Sequence, residues 1–375
     1  MKYLLSFLLI TFFFIGCSNK AQVVEIKLPN KNNIGKPIGQ NTESASKPIK
    51  DDIEPLDEVE IIENEMSITD NSEVMKLAFI YPSKVVAKYA KSSINTALGY
   101  FDYKKIKYEV KIFDTLSEDE QNIQKAFFKA KENGFTNVIA LFTPRVIDFL
   151  HRIDTSNLKV YLPLTNKENI VNTNSNFIYG AISYKDQVRK LQEYSNTNNA
   201  MFFQSSFLGN KLKNIYESTF ADIKVVKEIK KKRNYFKGIV KDYRIRNSTL
   251  FINTPIIKTS ILLSQLRAYS IYPKVILSTQ MNYNPKILTL TQVKDRLNFV
   301  IANSIDMVDD SLRDNISFYG SDIIYNWVDY STLVGVNYLY DRNMSGLINT
   351  RIEDNQVMYQ PKLLKTTAYG FLEIK

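Results

Sequence analysis

The chain has 375 residues, 44% of them hydrophobic and 12% aromatic, enough to bury one large core or two modest ones. A single cysteine and a single histidine exclude a disulfide framework, a Cys-ligated zinc site and multi-His metal centres. The formal charge of +10 is unevenly placed: residues 51–75 hold ten acids and no base, whereas residues 76–375 hold 42 bases against 27 acids. The excess is strongest near Lys224, Lys227, Lys230, Lys231, Lys232 and Arg233. There it reads either as a solvated surface or as attraction for an acidic partner, an anionic glycan or a lipid headgroup.

In chain order, Lys2 precedes an uncharged run from Tyr3 to Ile15 that closes as Phe14-Ile15-Gly16-Cys17. This is the charged start and short apolar stretch of a secretory signal, too short to span a bilayer as a helix. The small residue before Cys17 resembles the lipobox of bacterial lipoproteins, although Phe14 stands where that family usually has Leu. The resemblance implies a signal peptide over 1–16 and acylation of Cys17, by palmitate-type chains, as the mature N-terminus. It also implies a lipid anchor in the cell envelope. Ser18 after the cysteine resembles lipoproteins sent to the outer membrane, facing the periplasm. An ordinary cleaved signal or an uncleaved anchor would leave Cys17 incidental. Export also argues against nucleic acid as a partner. Residues 17–75, rich in Lys, Asn, Ser and then acids, lack periodicity and are expected to act as a flexible tether with an average reach of about 40 Å.

From Lys76 the texture becomes that of a packed domain. Lys76-Leu77-Ala78-Phe79-Ile80-Tyr81-Pro82 predicts a buried strand, and Ser83 is expected to cap a helix carrying Val86, Ala90, Ile94, Ala97 and Phe101. Tyr108 to Phe113 predicts the next strand. Ser117 and Glu120 have capping-box spacing before Ile123, Phe127 and Ala130, with Gly134 as the stop. Strands are predicted at Asn137–Phe142, Lys159–Leu164, Phe177–Ile182, Ala200–Phe203, Ile223–Ile229, Thr249–Ile252 and Lys274–Ser278. Helices are predicted from about Pro144, over Lys185–Tyr194, Leu208–Phe220 and Ile256–Tyr269, and as one aromatic-rich helix over Tyr319–Tyr340. A turn at Asp354-Asn355 and further strands toward Tyr369-Gly370-Phe371 follow. Strands alternating with helices demand mostly parallel sheets covered on both faces, and their number exceeds one compact sheet. The expected class is therefore α/β in two lobes.

Within this pattern Phe177 to Phe220 resembles the type I periplasmic binding proteins. The residues that carry the likeness are Asp186-Gln187 on a helix, the strand Phe202-Phe203, and the loop Ser205-Ser206-Phe207-Leu208-Gly209. The closing part, with Trp327, Ser345-Gly346-Leu347-Ile348 and the Asp354-Asn355 turn, is similar both to solute receptors of that fold and to lipoprotein activators of penicillin-binding proteins. The resemblance covers residues 76–375. It implies one lobe at about 76–183 plus 306–345, and a second at about 184–305 plus part of 346–375. The sequence departs from amino-acid receptors at Leu141-Phe142-Thr143-Pro144-Arg145, which replaces a Gly-Pro and hydroxyl-rich loop, and from the activators at Asn343, where Gly is common.

Two functions follow from the resemblance. One is a non-catalytic domain that engages another envelope protein, a peptidoglycan synthase or a similar assembly. The other is a receptor for a small solute of amino-acid or peptide type, serving a transporter or sensor. In that case Thr143, Arg145, Ser205, Ser206 and Thr279 are the candidate ligand residues, because each follows a predicted strand at the edge where open α/β sheets bind. An enzyme is not expected, and no catalytic residue, metal or cofactor is assigned. Nucleophile-elbow, phosphate-loop and zinc motifs are missing, and Asp306, Asp309 and Asp310 read as a helix start. His151, next to Leu150 on an expected helix, is assigned a structural role.

Overall fold

The computed structural model describes residues 74–168, 170, 173–195, 198–342, 348 and 350–374. Cys17, the tether, Asn343 and Ser345-Gly346-Leu347 lie outside these described residues. The first half runs β1 (Met75–Tyr81), α1 (Ser83–Lys104), β2 (Tyr108–Asp114), α2 (Glu120–Glu132), β3 (Asn137–Ala140), α3 (Ile147–Leu150), β4 (Lys159–Leu162) and β5 (Phe177–Tyr179). The second runs α4 (Tyr184–Gln192), β6 (Asn199–Phe203), α5 (Phe207–Thr219), β7 (Ile223–Glu228), α6 (Phe236–Val240), β8 (Thr249–Asn253), α7 (Ile256–Ala268), β9 (Val275–Ser278), α8 (Lys286–Leu290) and β10 (Phe299–Asn303). The chain then adds α9 (Asp310–Phe318), α10 (Trp327–Tyr340), β11 (Arg351–Glu353), β12 (Gln356–Met358), β13 (Lys362–Thr366) and β14 (Phe371–Glu373).

These strands form two sheets of seven, ordered β11-β12-β5-β4-β3-β1-β2 and β14-β13-β10-β9-β8-β6-β7. Five strands of each sheet are parallel and share one order, so the second half repeats the topology of the first. The last four strands divide between the sheets. β12 joins β5 in parallel with β11 antiparallel outside it, while β13 and β14 extend the second sheet antiparallel. The chain therefore passes between lobes three times, after β5, β10 and β12.

The inner strands read as apolar runs because both faces are covered. Successive side chains point to opposite faces, so Leu77 and Phe79 of β1 enter one core and Ala78 and Ile80 the other. In β6, Ala200 and Phe202 are separated from Met201 and Phe203 in the same way. Helix α10 lies close to the sheet because Gly335 faces Tyr161: a Cβ there would stand 2.4 Å from the ring. Ser331 on the same helix donates to the Gly180 carbonyl at 2.8 Å, which ties α10 to the strand ends.

Three expected local features differ. Asp119, not Ser117, caps α2, accepting from the Gln121 and Asn122 amides. Leu116 adopts a left-handed φ of 59°, and the Thr115 hydroxyl donates to the Ser117 carbonyl, which keeps Ser117 in the preceding turn. Pro82 occupies the cap of α1, and the Ser83 amide is satisfied by the Asp114 carboxylate at 3.0 Å. The helix expected over Tyr319–Tyr340 begins only at Trp327: a separate helix, α9, ends at Phe318, Gly320 takes φ 85°, and Asn326 opens α10 by accepting from the Val328 amide. Only glycine enters that backbone region without strain, so the chain stops there. The Asp354-Asn355 turn is present, both residues having positive φ, as a tight hairpin between β11 and β12 requires.

Candidate functional site

Loops leaving the carboxyl ends of the two sheets meet between the lobes. Arg145, after β3, is exposed and holds its guanidinium 5.9 Å from the centre of the Phe207 ring, which opens α5 after β6. Among the described residues Arg145 makes no ion pair, which leaves its charge available to a partner. Thr143 lies beside it, but its amide and hydroxyl both donate to the Glu118 carboxylate, at 2.6 and 2.8 Å. Ser206 is used as the cap of α5, accepting from the Gly209 amide at 3.0 Å. Its neighbour Ser205 is exposed. Thr279 is fully buried, with its hydroxyl 2.9 Å from Asn253 Oδ1. Of the five candidates, Arg145 and Ser205 present their side chains outward. Thr143, Ser206 and Thr279 spend theirs on the loops that carry them.

The junction itself is largely apolar. Ile182, Tyr184 and Leu212 are buried together, and Leu208, Met281, Trp327 and Tyr359 pack on them. Trp327 and Tyr359 also pack on the core of the first lobe, so these two rings link the lobes directly. On a second flank Tyr283 meets Tyr325 with ring centres 5.0 Å apart and Phe371 at 4.9 Å. Burial, with smaller contributions from Tyr325 and Asp322, pushes the Tyr283 phenol up to about 12. Burial likewise raises Tyr184.

Beneath this layer lies a polar clasp. Gln187 of α4 donates to Gln280 Oε1 at 3.0 Å and to Ser304 Oγ at 2.7 Å, while its own oxygen accepts from the Gln280 amide at 3.0 Å. The Ser304 amide also donates to Gln280 Oε1 at 2.9 Å. The clasp joins the helix after the first crossover to the loops after β9 and β10, so the Gln of the Asp186-Gln187 pair fixes strand ends. At the same edge Asn253 Nδ2, Gln280 Nε2 and Asn282 Oδ1 are buried without a hydrogen-bond partner among the described residues. Two donors and one acceptor there match a buried water or the polar end of a small molecule. A pocket of about 200 Å³ opens beside the same crossover, lined in part by Glu168, Lys185, Asp186, Arg189 and Gln356. The Lys185–Glu168 ion pair spans it at 3.4 Å.

The remaining sequence candidates have structural partners. His151 Nε2 is 2.8 Å from the Tyr179 hydroxyl, and burial lowers its pKa. Asp309 caps α9, Asp310 pairs with Arg313, and Asp306 pairs with Lys362 at 2.8 Å. Sequence reasoning missed Glu118, Met281 and the role of Trp327. Each acts through a neighbour from a distant segment and carries no local signal.

No protein-family model and no curated protein matches the chain. Solved structures do. A putative branched-chain amino acid ABC transporter protein from Rhodospirillum rubrum is 13% identical over 80% of this chain and all of that one, with a TM-score of 0.62. The LpoA C-domain from Haemophilus influenzae, a regulator of PBP1A, is 11% identical over 80% of this chain and 100% of that chain, with a TM-score of 0.55. The leucine-binding protein LivK from Thermotoga maritima is 12% identical over 80% of this chain and 98% of that one, again with a TM-score of 0.55. The architecture is thus that of the type I periplasmic binding proteins. It is shared here with both solute-binding proteins and a regulator.

Proposed function

We propose that this chain is a non-catalytic lipoprotein of the cell envelope whose two-lobed domain engages another envelope protein, a peptidoglycan synthase or a similar assembly. The observation that carries the reading is the packed junction: Leu208, Met281, Trp327 and Tyr359 pack on Ile182, Tyr184 and Leu212, so side chains of both lobes fill this contact, whereas a solute receptor keeps an open cavity with a few orienting polar groups. The similarity of fold to the LpoA C-domain supports the same direction. Acylation at Cys17 would hold the protein at the outer membrane facing the periplasm, and residues 17–75 would set its reach. Arg145 and the exposed ring of Phe207, which come from different lobes, are candidates for the contact surface.

A second reading, a receptor for a small amino-acid or peptide-type solute, draws on the unpartnered Asn253, Gln280 and Asn282 atoms and on Arg145 and Ser205, the two candidates whose side chains face outward. Thermal unfolding of residues 74–375 with amino acids, peptides, sugars and muropeptides separates the two. A ligand at 100 times its dissociation constant adds about 2.7 kcal/mol, a shift of a few degrees for a protein of this size. The expected result is no shift, together with crosslinks in cells between Arg145-side positions and a peptidoglycan synthase. A reproducible shift with one chemical class and no crosslinked synthase would replace the first reading by the second.

A further inference from the structure

Strand β7 and the excursion that follows it toward β8 concentrate positive charge. Residues 223–246 carry ten bases (Lys224, Lys227, Lys230, Lys231, Lys232, Arg233, Lys237, Lys241, Arg244 and Arg246) and two acids, Glu228 and Asp242. Their net +8 compares with +10 for the whole chain. β7 is the outer strand of its sheet, so the segment stands at an edge of the second lobe. Asp242 is committed to Lys227 and Arg244. Lys230 through Arg233 are exposed, and no acid among the described residues pairs with them.

The loop is held rather than loose. Asn234 accepts from the Lys230 amide and donates to the Lys230 carbonyl, both at 2.8 Å. The Lys258 ammonium donates to the Lys230 and Lys231 carbonyls. Arg233 turns the chain with a left-handed φ of 49°. Two phenols flank the charges, Tyr235 at 71% and Tyr243 at 78% exposure, and Tyr235 rests against Gly238, where a Cβ would meet its ring at 2.7 Å.

We propose that this basic, tyrosine-flanked edge of the second lobe is a docking surface for an anionic phospholipid membrane. Seven of the ten bases are lysines. Protein interfaces are depleted in Lys and favour Arg, whose fork pairs carboxylates. A cluster of point charges on flexible stems instead suits a diffuse array of headgroup phosphates. Tyrosine is the residue type that settles at the membrane–water boundary. The surface differs in chemistry from the apolar junction, although Lys258, which donates to the Lys230 and Lys231 carbonyls, also donates to Gln204 beside the Ser205–Phe207 loop.

The test uses residues 18–375, which keep every described element and leave out the acylation site. Cosedimentation is measured with phosphatidylcholine vesicles that contain or lack phosphatidylglycerol. Binding is expected only with the anionic lipid, and raising salt from about 0.1 M to about 1 M, which shortens screening from about 10 to about 3 Å, abolishes it. Replacing Lys230, Lys231, Lys232 and Arg233 by Gln is expected to weaken binding at least about a hundredfold with an unchanged thermal midpoint. Tyr235→Ser with Tyr243→Ser is expected to weaken it several-fold. Equal binding to neutral vesicles, or an unaffected quadruple variant, overturns the proposal. Capture by polyglutamate without vesicle binding overturns it in favour of an acidic protein partner.

Discussion

Asp329 sits fully buried on α10, where its Oδ2 accepts from the Ser92 hydroxyl at 2.6 Å and from the Asp322 amide at 2.9 Å. Its Oδ1 has no hydrogen-bond partner among the described residues. Burial, only partly offset by those two donors, pushes its pKa from 3.8 up to about 6, and the nearby Asp322 charge adds to the rise. The folded state therefore holds a proton that the unfolded chain releases. Below about pH 4 the group is protonated in both states and costs nothing. Between about 4 and 6 the unfolded state is progressively favoured, and above 6 the penalty is complete. At about 1.4 kcal/mol per pH unit, the interval amounts to about 3 kcal/mol. Asn in place of Asp keeps the acceptor for Ser92 and Asp322 and carries no charge. Asp329→Asn is thus expected to gain on the wild type by about 3 kcal/mol as pH rises from 4 to 7, whatever constant offset its amide introduces. Urea unfolding of both proteins across that range, followed by circular dichroism, measures the difference directly. Two stability curves that run parallel with pH would refute the reasoning.

The clasp and the helix–sheet contact give two further expectations. Gln187→Ala removes three hydrogen bonds and strands Gln280 and Ser304, which is expected to cost about 2–4 kcal/mol in urea unfolding, with exchange protection falling at the loops after β9 and β10. Gly335→Ala drives a methyl into the Tyr161 ring and is expected to cost about 1–3 kcal/mol. Combining it with Tyr161→Leu should return part of that loss, and strict additivity of the two would show that the close approach is not the cause.

The alternation of strand and helix is legible because every inner parallel strand is buried on both faces, and so reads as a short apolar run such as Leu77 to Tyr81 or Ala200 to Phe203. Caps and breaks are less legible because competing local options differ by single hydrogen bonds. Ser117 has the right spacing, yet the turn at Leu116 holds it and Asp119 takes the role. The α9–α10 break turns on one glycine within an aromatic-rich stretch. The strand-end positions of Thr143, Ser205, Ser206 and Thr279 can be read from the chain. The occupation of Thr143 by Glu118 and of Thr279 by Asn253 cannot, because those partners arrive from elsewhere in the chain, Glu118 from the loop between β2 and α2 and Asn253 from the end of β8. Trp327, Leu208 and Met281 look in sequence like ordinary core residues, and only the meeting of two lobes turns them into a filled junction.

The single-residue pairing of β12 to β5, Gln356 with Tyr179, sets an order of maturation. A chain emerging amino end first completes the five parallel strands β6–β10 before residue 356 exists in the folding compartment. The first lobe, though begun earlier, lacks α9, α10, β11 and β12 until then, and β5 waits with an open edge. Long-range closures of this kind are slow and leave strand edges exposed meanwhile. Neither half is therefore finished in one pass: β5 waits for β12 and β10 waits for β13, and these two edges are where a holding chaperone, or a neighbouring nascent copy, would first find purchase.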